Sequence, residues 1–592
     1  MSAQQFELKF RLDSVATVGV VLIAVQFFVR LALVSGSYFW QDDFFHLSLA
    51  RTMGLSQDYL LRDYNDHLEI GPFFVYWLAS QDATTSFWPA ALSIVALQVV
   101  ASWLLWMLLR ELFGSSPMLL VPLTLYLFTP LTLASVTWWA SALEALPLQI
   151  SMLGAALAMA RFYRTRAWKW AAASWLAYGA GLLFWEKAIV VLPVTAAVFL
   201  VFIQAGNPLR ERLAAFAALW RLWAGHVVLL VGYVVLYVSV IDGTPPVSTT
   251  AREYVSSGSA MVFRVFIPGL FGGPWNAGGA ENTLFPNTNT VLAVLFLAMA
   301  AAVVAASLLV SGRRAIAPWV LLVGYLLADL TLMLTSRSQF LGLVTRDPRY
   351  ITDAAPIAAL VVAGAFAMGS DSVRTPLGQR LRDLSSLPTA VAACSVLAAS
   401  SLITTYTLAP VVQHRYAENF TRGVITGIQA NPGVSIVNTD VPTGVSGLVD
   451  YRSLLRAVGE DVSLNEPGTE LFMFDSLSDL REVEIRETVL SKRGPEKDCG
   501  WPVRRAPVDL AYVPSEGPKG RVLRVGYVTG VPATIHVDID GEEQSLPVES
   551  GFGYAWFVYD GVGGQLTTWV TDSTDGVCVS DIAVGQPWPA ES

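Results

Sequence analysis

Apolar runs about as long as a bilayer is thick recur through the first two thirds of this chain, and no other feature narrows its fold so far. A hydrocarbon core of about 30 Å needs roughly 20 consecutive apolar residues in a helix. Runs of about that length fall at 14–36, 88–110, 117–137, 143–162, 169–186, 188–206, 222–241, 290–311, 316–335, 350–370 and 388–410. The expectation is a mainly α, polytopic membrane protein with about eleven crossings. Composition agrees: 54% of the 592 residues are hydrophobic and 14% are charged, against about 25% charged in an ordinary soluble domain. A net charge of −9 leaves no basic face for nucleic acid, which is excluded as a partner.

The basic residues set the expected orientation. Lys9 and Arg11, Arg110, Arg161 to Lys169, Arg210, Arg212 and Arg221, Arg313 and Arg314, and Arg374, Arg380 and Arg382 fall in alternate connections. The positive-inside rule makes these cytoplasmic, so the N-terminus lies inside and everything after Pro410 lies outside. The first apolar run is too long for a signal-peptide core and no small-residue cleavage site follows it, so it is read as a retained anchor.

After Pro410 the sequence becomes polar and turn-rich, and 411–592 is read as a separate extracytoplasmic domain. Thr421 to Ala430 reads as a helix and Val434 to Asn438 as a buried strand. From Arg521 onward, runs such as Val522 to Val528, Thr534 to Ile539 and Ala555 to Tyr559 carry β-branched and aromatic residues between Gly and Asp turns, the pattern of a β-sandwich. Cys499 and Cys578 flank that stretch and are expected to pair in an oxidising exterior, whereas Cys394 lies in the last apolar run. Trp556, Tyr559 and Trp569 are candidates for stacking on sugar rings, with core packing as their other reading.

Chemistry-bearing residues collect at the outer ends of the runs. Asp42 and Asp43 follow the first run directly; they are either a proton-accepting pair or a solvated helix start. The first outer loop also carries His67 and Glu69; Glu144 follows Trp138 and Trp139, and Glu186 and Lys187 follow Trp185. Arg346 and Arg349 stand before a late run, where they either bind a phosphate or anchor the span at headgroups. Asp329 and Arg30 lie inside apolar runs, where ionisable groups are paired or functional; an ion pair between them is one arrangement. No tight His-Glu-x-x-His spacing calls for a metal, so none is assigned, although His46 and His67 among carboxylates leave a divalent ion open. The Gly-rich run Phe271 to Gly279 lacks the Lys-Ser/Thr ending of a phosphate loop and is read as a substrate-covering loop or a plain connection.

The run Asp42-Asp43-Phe44-Phe45-His46-Leu47-Ser48-Leu49-Ala50-Arg51-Thr52-Met53 resembles the segment after the first span in GT-C glycosyltransferases, integral membrane enzymes that use polyprenyl-phosphate sugars. Gly71-Pro72-Phe73-Phe74-Val75-Tyr76-Trp77-Leu78 is similar to that family's next helical entry, and Arg349-Tyr350-Ile351-Thr352-Asp353-Ala354-Ala355-Pro356 to its Arg-Tyr…Pro pattern. The chain departs from the pattern at His67 and Glu69, where several members have a basic residue.

The resemblance implies a GT-C-like membrane domain over 1–410 and inverting transfer of a hexosyl or pentosyl unit from a polyprenyl-phosphate donor to an extracytoplasmic glycan or glycolipid. It gives Asp42 the role of general base, with Asp43 second, and makes Arg346, Arg349, Tyr350, Glu144, Glu186, Lys187, His67 and Glu69 substrate-binding candidates. No cofactor is implied, and the C-terminal domain is expected to hold the acceptor glycan. The alternatives are a transporter or lipid flippase, which calls for internal repeats and interrupted helices, and an inactive assembly scaffold.

Overall fold

The computed structural model describes residues 14–82, 85–243, 250–275, 288–336, 344–367, 376–460, 462–490, 494–513, 521–539, 541–559, 564–573 and 576–590. Lys9, Arg11, Arg374 and residues 276–279 of the Gly-rich run lie outside them. The chain divides into two compact units. One comprises Met1–Phe39, Met53–Ala79 and Ser86–Arg415; the other comprises Trp40–Thr52, Ser80–Thr85 and Tyr416–Ser592. The expected boundary at 410/411 thus falls at 415/416, and the segment bearing Asp42 and Asp43 groups with the C-terminal unit.

The first unit is helical. Among the described residues each of the eleven expected runs coincides largely with helix, from Ser14–Val34 to Leu387–Val412, and residues 368–370 of the run 350–370 lie outside them. By length and apolarity, eight stretches among the described residues are able to cross a membrane, with Thr290–Met333 counted as one stretch; the helices Trp168–Phe184 and Ala354–Ala367 are shorter. The stretch Pro117–Thr137 is interrupted: a 3-10 turn at Pro130–Thr132 separates helix Leu120–Phe128 from Leu133–Thr137. Pro130 supplies the break, since it disfavours helix at the residue before it, and Thr129 is extended at ψ 133°.

Burial sorts the helices. Trp139–Thr165 is mostly buried, whereas Trp220–Val240 and Thr290–Met333 expose apolar faces with Val228, Val235, Val238, Val291 and Val294. Such faces suit acyl chains and are costly in water. Between the buried helices, where apolar packing gains nothing over lipid, close approach and interhelical hydrogen bonds take over. Gly181 lets its helix meet Ser151, whose Oγ stands 2.4 Å from where a Cβ would sit. A polar chain links Ser102 Oγ to Gln26 Oε1 (2.6 Å), Gln98 Nε2 to the Tyr126 hydroxyl (3.2 Å), and that hydroxyl to Gln149 Oε1 (2.7 Å).

The C-terminal part of the second unit begins at Tyr416 within helix Arg415–Ala430 and includes helix Tyr451–Val458 and, among the described residues, eleven strands. These are β1 Ser435–Ile436, β2 Leu471–Phe474, β3 Leu480–Leu490, β4 Trp501–Val503, β5 Val508–Val513, β6 Arg521–Thr529, β7 Ala533–Ile539, β8 Glu542–Val548, β9 Gly551–Tyr559, β10 Gly564–Val570 and β11 Val577–Pro589. They form two sheets: β1-β2-β3-β11-β6-β9 with β4 on β11, and β5-β10-β7-β8. Inward residues such as Leu523, Val525, Phe557 and Val584 from the first sheet and Ile535, Val537, Leu546 and Leu566 from the second share one core. That is a β-sandwich extended by a short α/β part, as the alternation along 533–539 implies. Cys499 and Cys578 are disulfide-bonded across 79 residues, and Cys394 is a buried free thiol.

Two of the three stacking candidates are core residues: Trp556 is 7% exposed and Tyr559 2%. Trp556 shares a buried cluster with Val437, Leu471, Val483 and Val522. Trp569 is half-buried and already stacks on His536, with ring centroids 5.4 Å apart. Among the described residues, the exposed aromatics of this sandwich are instead Phe552 (65%) and Tyr554 (43%), at the edge strand β9, and Trp588 (41%) on β11. Arg524 lies over the Tyr554 ring at 4.7 Å and pairs with Asp581 at 3.0 Å.

Candidate active site

In the helical unit, residues scattered over 280 positions of sequence converge. A tight turn presents the first of them: Asn65 and Asp66 take left-handed φ of 53° and 66°, and Tyr64 and His67 exchange backbone hydrogen bonds of 3.2 and 2.9 Å. Asn and Asp tolerate that conformation best among residues with side chains. The Tyr237 hydroxyl pins the turn through the Asp66 carbonyl at 2.7 Å. His67 Nδ1 then meets Glu186 Oε1 at 2.6 Å. Glu144, on the buried helix Trp139–Thr165, lies near Glu69, His67, Glu186 and Arg349. Three carboxyls and an imidazole thus gather in one place, with Glu69 only 3% exposed.

Arg349 stands beside this group. Its guanidinium lies 4.5 Å from the Trp138 ring centroid and 4.7 Å from that of Tyr350. Its Nε pairs with Asp347 Oδ2 at 2.8 Å, and its Nη2 donates to the Tyr350 hydroxyl at 3.0 Å. Stacking and a fixed counter-ion hold a planar cation in place, which suits recognition of a phosphate or carboxylate. Burial pushes the Asp347 carboxyl above its ordinary range, and the Arg349 charge opposes that shift without cancelling it. Arg346 is exposed and lies outside this arrangement.

Lys187 parts company with its neighbour Glu186. It is buried, with Nζ 2.5 Å from Asp329 Oδ1, 2.8 Å from Asp353 Oδ1 and 3.0 Å from the Tyr350 carbonyl oxygen. The Tyr325 hydroxyl donates to the other oxygen of Asp353. Lys187 is therefore not a cavity-lining residue. It ties the helix Ile316–Ser336 to the turn that carries Arg349 and Tyr350. The ion pair considered between Asp329 and Arg30 does not form: Arg30 Nη2 donates to Thr132 Oγ1 at 2.5 Å and to the Thr129 carbonyl at 3.4 Å.

In the other unit, Asp42 and Asp43 open helix Asp42–Met53. The two differ. Asp43 is fully buried, and its Oδ2 accepts the Trp40 backbone N–H at 2.9 Å, reaching back as the acidic member of a capping box does. The helix-start role falls to Asp43, while Asp42 is half-buried at the first helical position.

Sequence reasoning missed Asp347, Asp353, Tyr325 and Trp138. Asp347-Pro348 carries a turn signal, and the Asp347 side chain accepts the Arg349 N–H at 3.0 Å. Asp353 and Trp138 were legible only as residues near span ends, and Tyr325 only as a residue inside an apolar run. Among the described residues no group of three or more His, Cys, Asp or Glu is placed to hold a metal ion.

No protein-family model matches the chain, and no curated protein matches it. Among solved structures it is similar to ArnT from Cupriavidus metallidurans in the apo state, with 14% identity over 79% of this chain and 88% of that one and a TM-score of 0.45. The ArnT structure with undecaprenyl phosphate gives 13% over 78% and 86%, with a TM-score of 0.40. Arabinosyltransferase EmbB from Mycobacterium smegmatis gives 12% over 99% and 65%, with a TM-score of 0.29.

Proposed function

We propose that this chain is a GT-C-like glycosyltransferase that moves a sugar from a polyprenyl-phosphate carrier to an extracytoplasmic envelope glycan or glycolipid. The observation that carries the reading is the meeting of His67, Glu69, Glu144 and Glu186 with the stacked guanidinium of Arg349 in a unit of membrane-length helices. Sugar transfer needs both parts, a proton acceptor for the attacking hydroxyl and a cation for the departing phosphate. In this reading Asp42 takes the proton of the acceptor hydroxyl. The hydroxyl oxygen bonds to the anomeric carbon as the carbon–phosphate oxygen bond breaks, and the lipid phosphate leaves with the electron pair. One displacement inverts the anomeric centre and leaves no covalent enzyme intermediate. The carboxyl–imidazole group orients sugar hydroxyls. The acceptor glycan lies on the C-terminal unit, for which Phe552 and Tyr554 offer exposed rings.

One observation favours transport instead: Lys187, Asp329 and Asp353 are ionisable groups buried within the helical unit, where transporters keep coupling sites. Purified protein in liposomes decides between them. Transfer of labelled sugar from a polyprenyl-phosphate donor, and none from a nucleotide sugar, is expected; lipid translocation without transfer would overturn the reading.

A further inference from the structure

The residue before Asp42 is held more completely than any role as a connector requires. Gln41 has φ 47°, a left-handed conformation that a residue with a side chain adopts only when its surroundings impose it. Its backbone N–H donates to the Val445 carbonyl at 3.0 Å, and its carbonyl accepts from Ser446 Oγ at 3.2 Å. Its side-chain amide is used at both ends: Nε2 donates to the Thr443 carbonyl at 2.9 Å, and Oε1 accepts the Gly447 N–H at 2.8 Å. That pairing fixes which end of the amide is which, because the flipped amide would face donor to donor and acceptor to acceptor. Trp40 adds a bond from Nε1 to the Gly444 carbonyl at 3.2 Å.

The loop that receives these bonds is itself stiff. Val445 and Ser446 are fully buried, and both their N–H groups bond to the Pro442 carbonyl, at 2.8 and 3.1 Å. Val441 N–H bonds to the Val449 carbonyl at 3.2 Å, and Asp440 and Asp450 form a β-bridge at the base. Asp450 then caps helix Tyr451–Val458 through the Ser453 N–H at 2.8 Å and accepts from Asn438 Nδ2 at 2.7 Å. All of this lies within the C-terminal unit.

We infer that Gln41 is a positioning residue for Asp42, and that the loop Pro442–Gly447 of the C-terminal unit sets the direction in which the base points. The inference rests on the reading of Asp42 as the base. Asp42 follows Gln41 directly, so a change in the Gln41 backbone swings the start of the helix and the carboxylate with it. A base displaced by about 1 Å loses on the order of 10²-fold in rate, while the donor, held elsewhere, binds as before.

The test is steady-state transfer by the full-length protein in detergent micelles, using a polyprenyl-phosphate sugar donor and a soluble acceptor glycan, for Gln41→Met, Gln41→Glu, Asp42→Asn and Gln41→Met/Asp42→Asn. Gln41→Met keeps the side-chain length and removes both amide hydrogen bonds. It is expected to lower kcat by roughly 10- to 100-fold with the donor KM unchanged. Gln41→Glu keeps the bond from Gly447 and recovers part of the rate. In the Asp42→Asn background Gln41→Met should cost nothing further, because the group it positions is gone. An unchanged kcat in Gln41→Met, an equal loss in both backgrounds, or a loss carried by KM alone would overturn the positioning role while leaving the base intact. Full transfer by Asp42→Asn would overturn the base and the positioning role together.

Discussion

Replacing Lys187 by Met removes the cation from a buried site that holds two carboxylates. Asp329 and Asp353 lie 2.5 and 2.8 Å from its Nζ, with side chains 1% and 0% exposed. Two magnitudes compete. Neutral hydrogen bonds between membrane helices contribute only about 0.6 kcal/mol on average, whereas removing one partner of a buried ion pair costs about 3–5 kcal/mol because the remaining charge stays desolvated. The second applies here, since Lys187→Met leaves charge behind rather than a vacant hydrogen bond. In detergent micelles the variant should unfold roughly 5–10 °C below the parent chain. The decisive comparison adds Asp329→Asn and Asp353→Asn to Lys187→Met. If uncompensated charge is the cause, neutralising it restores most of the loss. A single variant within about 0.5 kcal/mol of the parent, or one that neutralisation fails to rescue, would refute the reasoning. Because Lys187 also holds the Tyr350 carbonyl, transfer should fall with stability.

Three further outcomes follow from the geometry. Cys499→Ser or Cys578→Ser opens a closed loop spanning 79 residues; denaturant unfolding of the C-terminal unit should show a loss of about 2–5 kcal/mol, and reducing agent should reproduce it in the parent chain. Glu144→Gln and Glu69→Gln should each lower kcat by on the order of 10²-fold, measured as sugar transfer, while helicity by circular dichroism stays the same. For Asp450, burial raises the carboxyl, but hydrogen bonds from Ser453 and Asn438 outweigh it, so its folded pKa lies below the ordinary value. A depressed carboxyl stabilises above its unfolded pKa and loses that contribution as pH falls through its folded value. Asp450→Ala should therefore cost about 0.5–2 kcal/mol near neutral pH, and the charge-dependent part should vanish in strong acid.

What the sequence disclosed depended on range. The helices were legible because apolar length against a bilayer is a local property, and the strand 533–539 because alternation is too. The disulfide followed from two cysteines flanking one β-rich stretch. Side-chain partners were not legible. Lys187 reads like Glu186 beside it, and only the packing of helix Ile316–Ser336 against the turn at 347–353 turns one inward to Asp329 while the other meets His67. Trp556 and Tyr559 read either as sugar-stacking rings or as core residues; the fold buries both, and Phe552 and Tyr554 are among the exposed rings. Gln41 gave no signal at all, because its left-handed backbone is imposed by a loop some 400 residues away.

In the proposed reaction Asp42 is the base of a sugar transfer from a lipid-phosphate donor. That role is tested most directly by Asp42→Asn, purified beside the parent chain and assayed with saturating polyprenyl-phosphate sugar and acceptor. A fall in kcat on the order of 10²–10⁴-fold with donor binding retained is expected; transfer at the parental rate would show that Asp42 is not the base.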